Sequence, residues 1–194
     1  MSEELKRLVT HLTHFPGIGR RTAERIAFYL LKMDEATVKD FIASILHFRK
    51  RTRVCPICFN ITDKEPCKIC NDPKRDKDVI CVVEEVSDFF AIEKANSYQG
   101  LYHILGGVLT AAPTQKNLRV KELIDRVKGN NIKEVIIATN PTTEGELTAN
   151  YLAKILKPLV GKVSRIARGL PFGSSIGLAD IATIAQAIEA RKEI

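Results

Sequence analysis

Two cysteine pairs, Cys55-x-x-Cys58 and Cys67-x-x-Cys70, carry the densest chemistry in the chain. Eight residues separate the pairs, so one loop can fold back and set four thiolates at tetrahedral corners around Zn²⁺. The ion's charge supplies the electrostatic reason for the thiols to lose their protons. Four sulfurs close the coordination sphere and leave no position for a reacting water, so the expected role is structural, with one ion per chain. A redox CxxC usually opens a helix after a strand, and a second pair this near fits metal better. The fifth cysteine, Cys81, lies in an apolar run without a spare partner and reads as a small buried residue.

A second group suits the binding of phosphate. The break His14-Phe15-Pro16-Gly17-Ile18-Gly19 separates two apolar stripes of helical spacing. The first stripe is Leu5, Leu8, Val9 and Leu12; the second is Ala23, Ile26, Ala27, Leu30 and Leu31. Gly17 and Gly19 bracket Ile18, which permits backbone conformations closed to larger residues and close approach of a ligand. Free N–H groups at the start of the second helix can then meet a phosphate, with Arg20 beside them. Arg21 and Arg25, four apart, share a face away from the apolar stripe and can grip neighbouring phosphates. None of these contacts reads a base edge, so the expected DNA binding is sequence-independent and salt-sensitive. Phe15 and Ile18 are expected to hold the hairpin shut from its core. His11 and His14 have no nearby Cys or acid to complete a metal set and read as surface or cap residues.

A third group is acidic. Glu84-Glu85 ends a β-rich run, and Asn140-Pro141-Thr142-Thr143-Glu144-Gly145-Glu146 follows another. Two-metal phosphoryl chemistry needs several convergent carboxylates, which Glu84, Glu144 and Glu146 offer only in part, since Asn140 and Thr142 are neutral. Glu144 and Glu146 equally suit the positive start of a helix, with Thr142 or Thr143 as its N-cap. Arg165 and Arg168 precede a glycine-rich stretch without the GKS or GKT ending of a phosphate-binding P-loop. That basic pair suits an anion or an adjacent subunit, and an ordinary strand exit accounts for it equally well.

Elements must hold these groups in place. Beyond the first two helices, residues 38–48 form a third, expected to bury Val38, Phe41, Ile42, Ile45, Leu46 and Phe48. Three short helices make a small core, which packing against another subunit would stabilise. After the cysteines, strands at 79–83, 101–105, 135–138 and 163–166 alternate with helices at 88–95, 118–127, 144–156 and 178–191. Such alternation predicts an α/β domain built on a largely parallel sheet covered on both faces. The expected boundaries are 1–53 for the helical hairpin domain, 54–77 for the cysteine module and 78–168 for the α/β domain. Residues 169–194 are expected to form a C-terminal turn and helix for packing or oligomerisation. Apolar content of 45% is ordinary for such a chain, and no run reaches membrane-spanning length. The N-terminus lacks the basic start and apolar core of a secretion signal, which implies a cytoplasmic location. A formal charge of +7 raises the odds of a polyanionic partner, while the absence of Trp and 6% aromatic content argue against extensive base stacking.

The order of these parts resembles the bacterial RecR family of recombination mediators. The resemblance rests on HFPGIGRRTAERIAFYLL, CPICFNITDKEPCKIC, CVVEEVSDFFAIE and ATNPTTEGELTANYLA, and covers essentially the whole chain. It implies a Toprim fold for the α/β part, with Asn140 and Thr142 at the positions of the Asp-x-Asp pair of catalytic Toprim enzymes. It therefore implies a non-enzymatic clamp on DNA: a ring-like tetramer with exchanged N-terminal domains, cytoplasmic and nucleoid-associated. In that family such rings act with RecO, and in some settings RecF, to load RecA onto single strands coated by SSB. Gly17, Ile18, Gly19, Arg20, Arg21 and Arg25 would belong to the DNA-facing surface, and Glu84, Glu144 and Glu146 to the surface that meets RecO. Two segments, 107–113 and 174–180, depart from the family's usual pattern. A Mg²⁺-dependent nuclease, primase or topoisomerase and a protein-only scaffold are the competing classes.

Overall fold

The computed structural model describes residues 2–110 and 118–191, in two compact units that divide at Thr52 and Arg53. The first unit is helical: α1 (Glu3–Thr13), α2 (Arg20–Lys32) and α3 (Glu35–Arg51). Ser2 caps α1 through Leu5 N–H at 3.3 Å, and Asp34 caps α3 through Thr37 N–H at 2.9 Å. Each cap satisfies an N–H that the helix leaves without a partner. Val9, Ala23 and Ala27 form the buried centre of this unit, with Leu5, Leu12 and Ile18 packed around them.

The expected burial of the third helix is not met. α3 buries no residue, and Phe41, Ile42, Ile45, Leu46 and Phe48 are all at least half exposed. Phe15 and Leu31 are exposed as well, so Ile18 alone of the two turn residues joins the core. The physical reason is size: two crossing helices with alanines at their contact enclose too little volume to cover a third apolar face.

The second unit opens with β1 (Arg53–Val54) and β2 (Ile61–Thr62), an antiparallel ribbon, followed by the short α4 (Lys68–Asn71). β3 (Asp76–Val83), α5 (Val86–Ala95), β4 (Gly100–Ile104), α6 (Val120–Gly129), β5 (Glu134–Ala138), α7 (Thr143–Leu156) and β6 (Lys162–Arg165) complete the α/β part. The four larger strands are all parallel, in the order β4-β3-β5-β6. β3 is central and its last four residues are buried, which explains the unbroken apolar run in sequence. Ile80 and Val82 face α6 and α7 through Leu123, Val127, Leu152 and Leu156. Cys81 and Val83 face α5 through Phe89, and the cysteine module through Phe59 and Ile69. Cys81 is buried as expected, and burial pushes its thiol up to about 12.

A 3-10 turn (Ile176–Leu178) precedes α8 (Ile181–Glu189), shorter than the helix expected from the sequence and capped by Asp180 through Thr183 N–H at 2.9 Å. Phe172, Leu178 and Ile181 in this segment stand almost fully in solvent. Of the unusual 107–113 segment, residues 111–113 lie outside the described residues, as do 192–194 beyond α8.

Candidate nucleic-acid interface and metal centre

The turn between α1 and α2 is built from backbone. Gly17 takes φ +77°, a conformation that strains any side chain, and Ile18 N–H closes the turn on Phe15 C=O at 3.1 Å. Gly19 is the N-cap of α2, where no side chain accepts a hydrogen bond from the first turn. Beyond the chain neighbours, no heavy atom among the described residues lies within 4 Å of where a Cβ would stand on Gly17 or Gly19, so this backbone faces open space. Arg20 pairs with Glu24 at 3.3 Å across one exposed helical turn, a contact of little energetic weight. Arg21 and Arg25 are exposed and, among the described residues, have no carboxylate partner. Arg25 also lines a shallow cavity of about 540 Å³ with Thr22, Tyr29 and Lys32. The structure thus brings Gly17, Gly19, Arg20, Arg21 and Arg25 to one end of α2, and turns Ile18 inward. His11 and His14 are exposed with ring centroids 6.1 Å apart.

At the carboxyl ends of β3 and β5 the strand order reverses, the place where open α/β sheets hold ligands. Glu84 stands there, only 8% accessible. Its Oε1 accepts from Asn140 N–H at 2.7 Å and its Oε2 from Asn140 Nδ2 at 2.6 Å. Thr142 caps α7 through Gly145 N–H at 3.0 Å. Glu146 is held by the guanidinium groups of Arg165 and Arg168, the first in a two-pronged contact at 2.6 and 2.7 Å. Glu144 is exposed. The three acids therefore do not converge. Among the described residues, the four cysteines form the one cluster of three or more potential metal ligands. The sequence did not reveal that Asn140 would grip Glu84, nor that Arg165 and Arg168 serve Glu146, because these partners lie 19 to 56 residues apart.

The cysteine cluster is compact. The four sulfurs all lie within 4.8 Å of one another, against about 3.8 Å between ligands of a regular ZnS₄ tetrahedron. Cys55, Cys58 and Cys67 are buried. Cys67 N–H points at Cys55 Sγ (3.4 Å) and Cys70 N–H at Cys67 Sγ (3.5 Å), so backbone dipoles already favour negative sulfur. A hydrogen bond from Cys58 holds the Cys67 thiol well below the ordinary thiol range, and the same contact raises Cys58. Cys70 is also raised, first by its contact with Cys58. Crowded sulfurs thus share protons until a cation replaces them. The donor set, its spacing and its burial fit Zn²⁺, held by Cys55, Cys58, Cys67 and Cys70.

The module is joined to the sheet beside it. Ile104 N–H on β4 donates to Cys58 C=O at 2.9 Å, and the Arg119 guanidinium lies 4.7 Å from the centre of the Phe59 ring. Phe59 packs edge-on against His103 at 5.3 Å. His103 is fully buried, its Nε2 lies 2.8 Å from Arg119 C=O, and burial lowers it to about 4.

Comparison with known proteins matches four family models in succession. They are the RecR helix-hairpin-helix over residues 5–48, the RecR zinc finger domain of four-cysteine type over 52–72, the Toprim domain over 78–167 and the RecR C-terminal domain over 169–192. The chain is 48% identical to Recombination protein RecR of Moorella thermoacetica over 194 residues, covering 99% of this chain and 98% of that one. It is 47% identical to the protein of that name from Carboxydothermus hydrogenoformans over 193 residues, covering 98% and 97%. With that of Lactococcus lactis subsp. cremoris the identity is 45% over 194 residues, covering 99% and 98%. With its hairpin, four-cysteine module and parallel Toprim sheet in this order, the chain belongs to the RecR family of recombination proteins.

Proposed function

We propose that the protein is a sequence-nonspecific DNA clamp that performs no covalent chemistry and brings recombination proteins to DNA. The observation that carries this reading is the bare start of α2 with Arg21 and Arg25 beside it, both without a carboxylate partner among the described residues. Backbone amides, a helix dipole and guanidinium groups address phosphate, the part of DNA that carries no sequence. The Toprim loop supports the non-enzymatic side of the reading. Asn140 occupies both oxygens of Glu84 with hydrogen bonds, where a metal-dependent enzyme would present a second carboxylate.

The clamp is assembled from four parts, 1–53, 54–77, 78–168 and 169–194, in a tetrameric ring with N-terminal domains exchanged between subunits. The uncovered apolar face of α3 supports that exchange, because Phe41, Ile45 and Leu46 lack cover within their own unit. One structural Zn²⁺ per chain holds the middle module. RecO, and in some settings RecF, meets the acidic loop. Glu144 is its accessible acid, while Glu84 and Glu146 shape it from within. The clamp works in the cytoplasm on nucleoid DNA and assists loading of RecA onto SSB-coated single strands.

Binding of the full-length protein to random-sequence duplex and single-stranded DNA tests the reading, with and without RecO. Arg21→Ala/Arg25→Ala should weaken binding uniformly across sequences. The slope of log affinity against log salt should fall by about 1 for each phosphate that is no longer held. Unchanged affinity at every salt concentration, with folding intact, removes the hairpin from the mechanism. Competition by DNA for a bound protein partner distinguishes the clamp from a protein-only scaffold.

A further inference from the structure

Arg126 is a basic residue whose position the DNA-binding reading does not use. It projects from α6 into the joint between the cysteine module and the β4 edge of the sheet. Its Nη1 donates to Tyr102 C=O at 2.6 Å and approaches Ile57 C=O at 3.4 Å. Ile57 lies between Cys55 and Cys58, and Tyr102 lies two residues before Ile104, whose N–H binds Cys58 C=O. One guanidinium therefore spans the metal knuckle and the strand that backs it. Its Nη2 is buried and has no hydrogen-bond partner among the described residues. A cation held this way is costly unless a compensating charge is near.

That charge is available from the neighbouring sulfurs: burial disfavours the charged guanidinium, and Cys70, Cys58 and Cys55 act against that burial. Four thiolates and one Zn²⁺ leave a net charge of about −2 in a largely buried site. The backbone N–H groups of Cys67 and Cys70 soften this charge but bring no full positive charge. Arg119, the other arginine at the joint, is committed to the Phe59 ring and approaches Ile104 C=O at 3.4 Å. Among the described residues no carboxylate forms an ion pair with Arg126: Glu93 is engaged by Arg75 and Tyr102, and Glu122 and Asp125 are exposed on α6.

We propose that Arg126 is the positioning counter-ion of the zinc tetrathiolate, fastening the metal module to the β4 edge so that metal retention and edge stability are one equilibrium. Partners outside the ligand sphere of this kind typically change metal affinity by about 10- to 100-fold. The coupling is reciprocal: metal loss leaves the guanidinium uncompensated and loosens Ile104 from Cys58, while loss of the guanidinium loosens the metal.

The inference rests on the four-cysteine site holding zinc, so metal content of the full-length parent is measured first; parent protein without zinc sinks that reading, and this inference with it. The test then compares Arg126→Met, which keeps length and removes charge, with Arg126→Lys, which keeps charge and removes the fork. Zinc release to a chromophoric chelator should be at least about tenfold faster for Arg126→Met, with Arg126→Lys within about threefold of the parent. Cobalt-substituted Arg126→Met should show a shifted sulfur-to-metal charge-transfer band. Hydrogen exchange should show the Ile104 amide losing protection both in Arg126→Met and in the chelated parent. Parent-like zinc release by Arg126→Met overturns the proposal. So do equal losses by both variants with an unshifted cobalt band, because packing alone then accounts for the effect. Where Arg126→Met fails to fold, Arg126→Lys decides: zinc release within about threefold of the parent supports the charge role, and release about tenfold faster or more overturns it.

Discussion

Asn140 closes a two-point hydrogen bond on Glu84, its backbone N–H on one carboxylate oxygen and its side-chain amide on the other. The consequence is a Toprim loop held by neutral donors. Asn140→Asp would set a second carboxylate about as close to Glu84 as the amide now stands. The expected result is a loss of about 2–4 kcal/mol at neutral pH, since a buried acceptor loses its donor and gains a like charge. Millimolar Mg²⁺ should raise the thermal midpoint of this variant more than that of the parent, by bridging the two carboxylates. Equal stability of variant and parent in metal-free buffer would show that the amide does not hold the loop.

Gly145 makes the same loop possible by having no side chain. A Cβ there would stand 2.1 Å from Asn140 C=O and 2.8 Å from Glu84 Oε1. Gly145 is buried in the first turn of α7, and its N–H already serves Thr142, so the backbone has little room to retreat. Gly145→Ala should therefore destabilise the α/β unit by about 2–3 kcal/mol, although alanine is the better helix former. Chemical denaturation monitored by far-UV circular dichroism measures it. A stabilised variant would mean that the loop has slack the contacts do not show.

Metal uptake should release protons. Cys58 and Cys70 are both raised above the ordinary thiol range by neighbouring sulfurs, while Cys67 is lowered by its hydrogen bond with Cys58. Zinc binding near neutral pH must therefore displace at least about two protons, and apparent affinity should climb at least about 100-fold per pH unit. Titration calorimetry in buffers of differing ionisation enthalpy counts them. Proton release near zero would indicate that the sulfurs are deprotonated before metal arrives.

Parts of the molecule were legible because their causes are local. The cysteine spacing fixed a four-sulfur loop, and the run from Val79 to Val83 announced a strand buried on both faces. The PGIG turn was likewise readable from its glycines, as Gly17 bears out with its positive φ. α3 was misread for a specific reason: its periodicity shows an apolar face but says nothing about what covers it. Glu84 and Glu146 are legible as a loop's acids, yet their partners depend on how β5 registers with β3 and β6 with β5. Arg126 had no signal at all, being one more cation on an amphipathic helix until α6 meets the β4 edge.

Acid should unfold the α/β unit earlier than its carboxylates require, and His103 is the reason. The imidazole is buried with its Nε2 on Arg119 C=O and no partner for Nδ1 among the described residues, so the neutral form is the one that fits. Its folded value is lowered to about 4 from 6.5, hence the unfolded chain takes up the proton first as pH falls. The histidine's contribution is intact above about pH 6.5 and is withdrawn between there and pH 4. The slope approaches about 1.4 kcal/mol per pH unit, for roughly 3 kcal/mol in all. His103→Gln retains an N–H for the Arg119 carbonyl and cannot titrate. Protonation of the cysteine ligands acts on parent and variant alike, so the difference between their stabilities isolates the imidazole. Denaturation at pH 7.5, 6 and 5 should show the variant closing on the parent as pH falls, and parallel curves would show that the imidazole is not the source of the acid sensitivity.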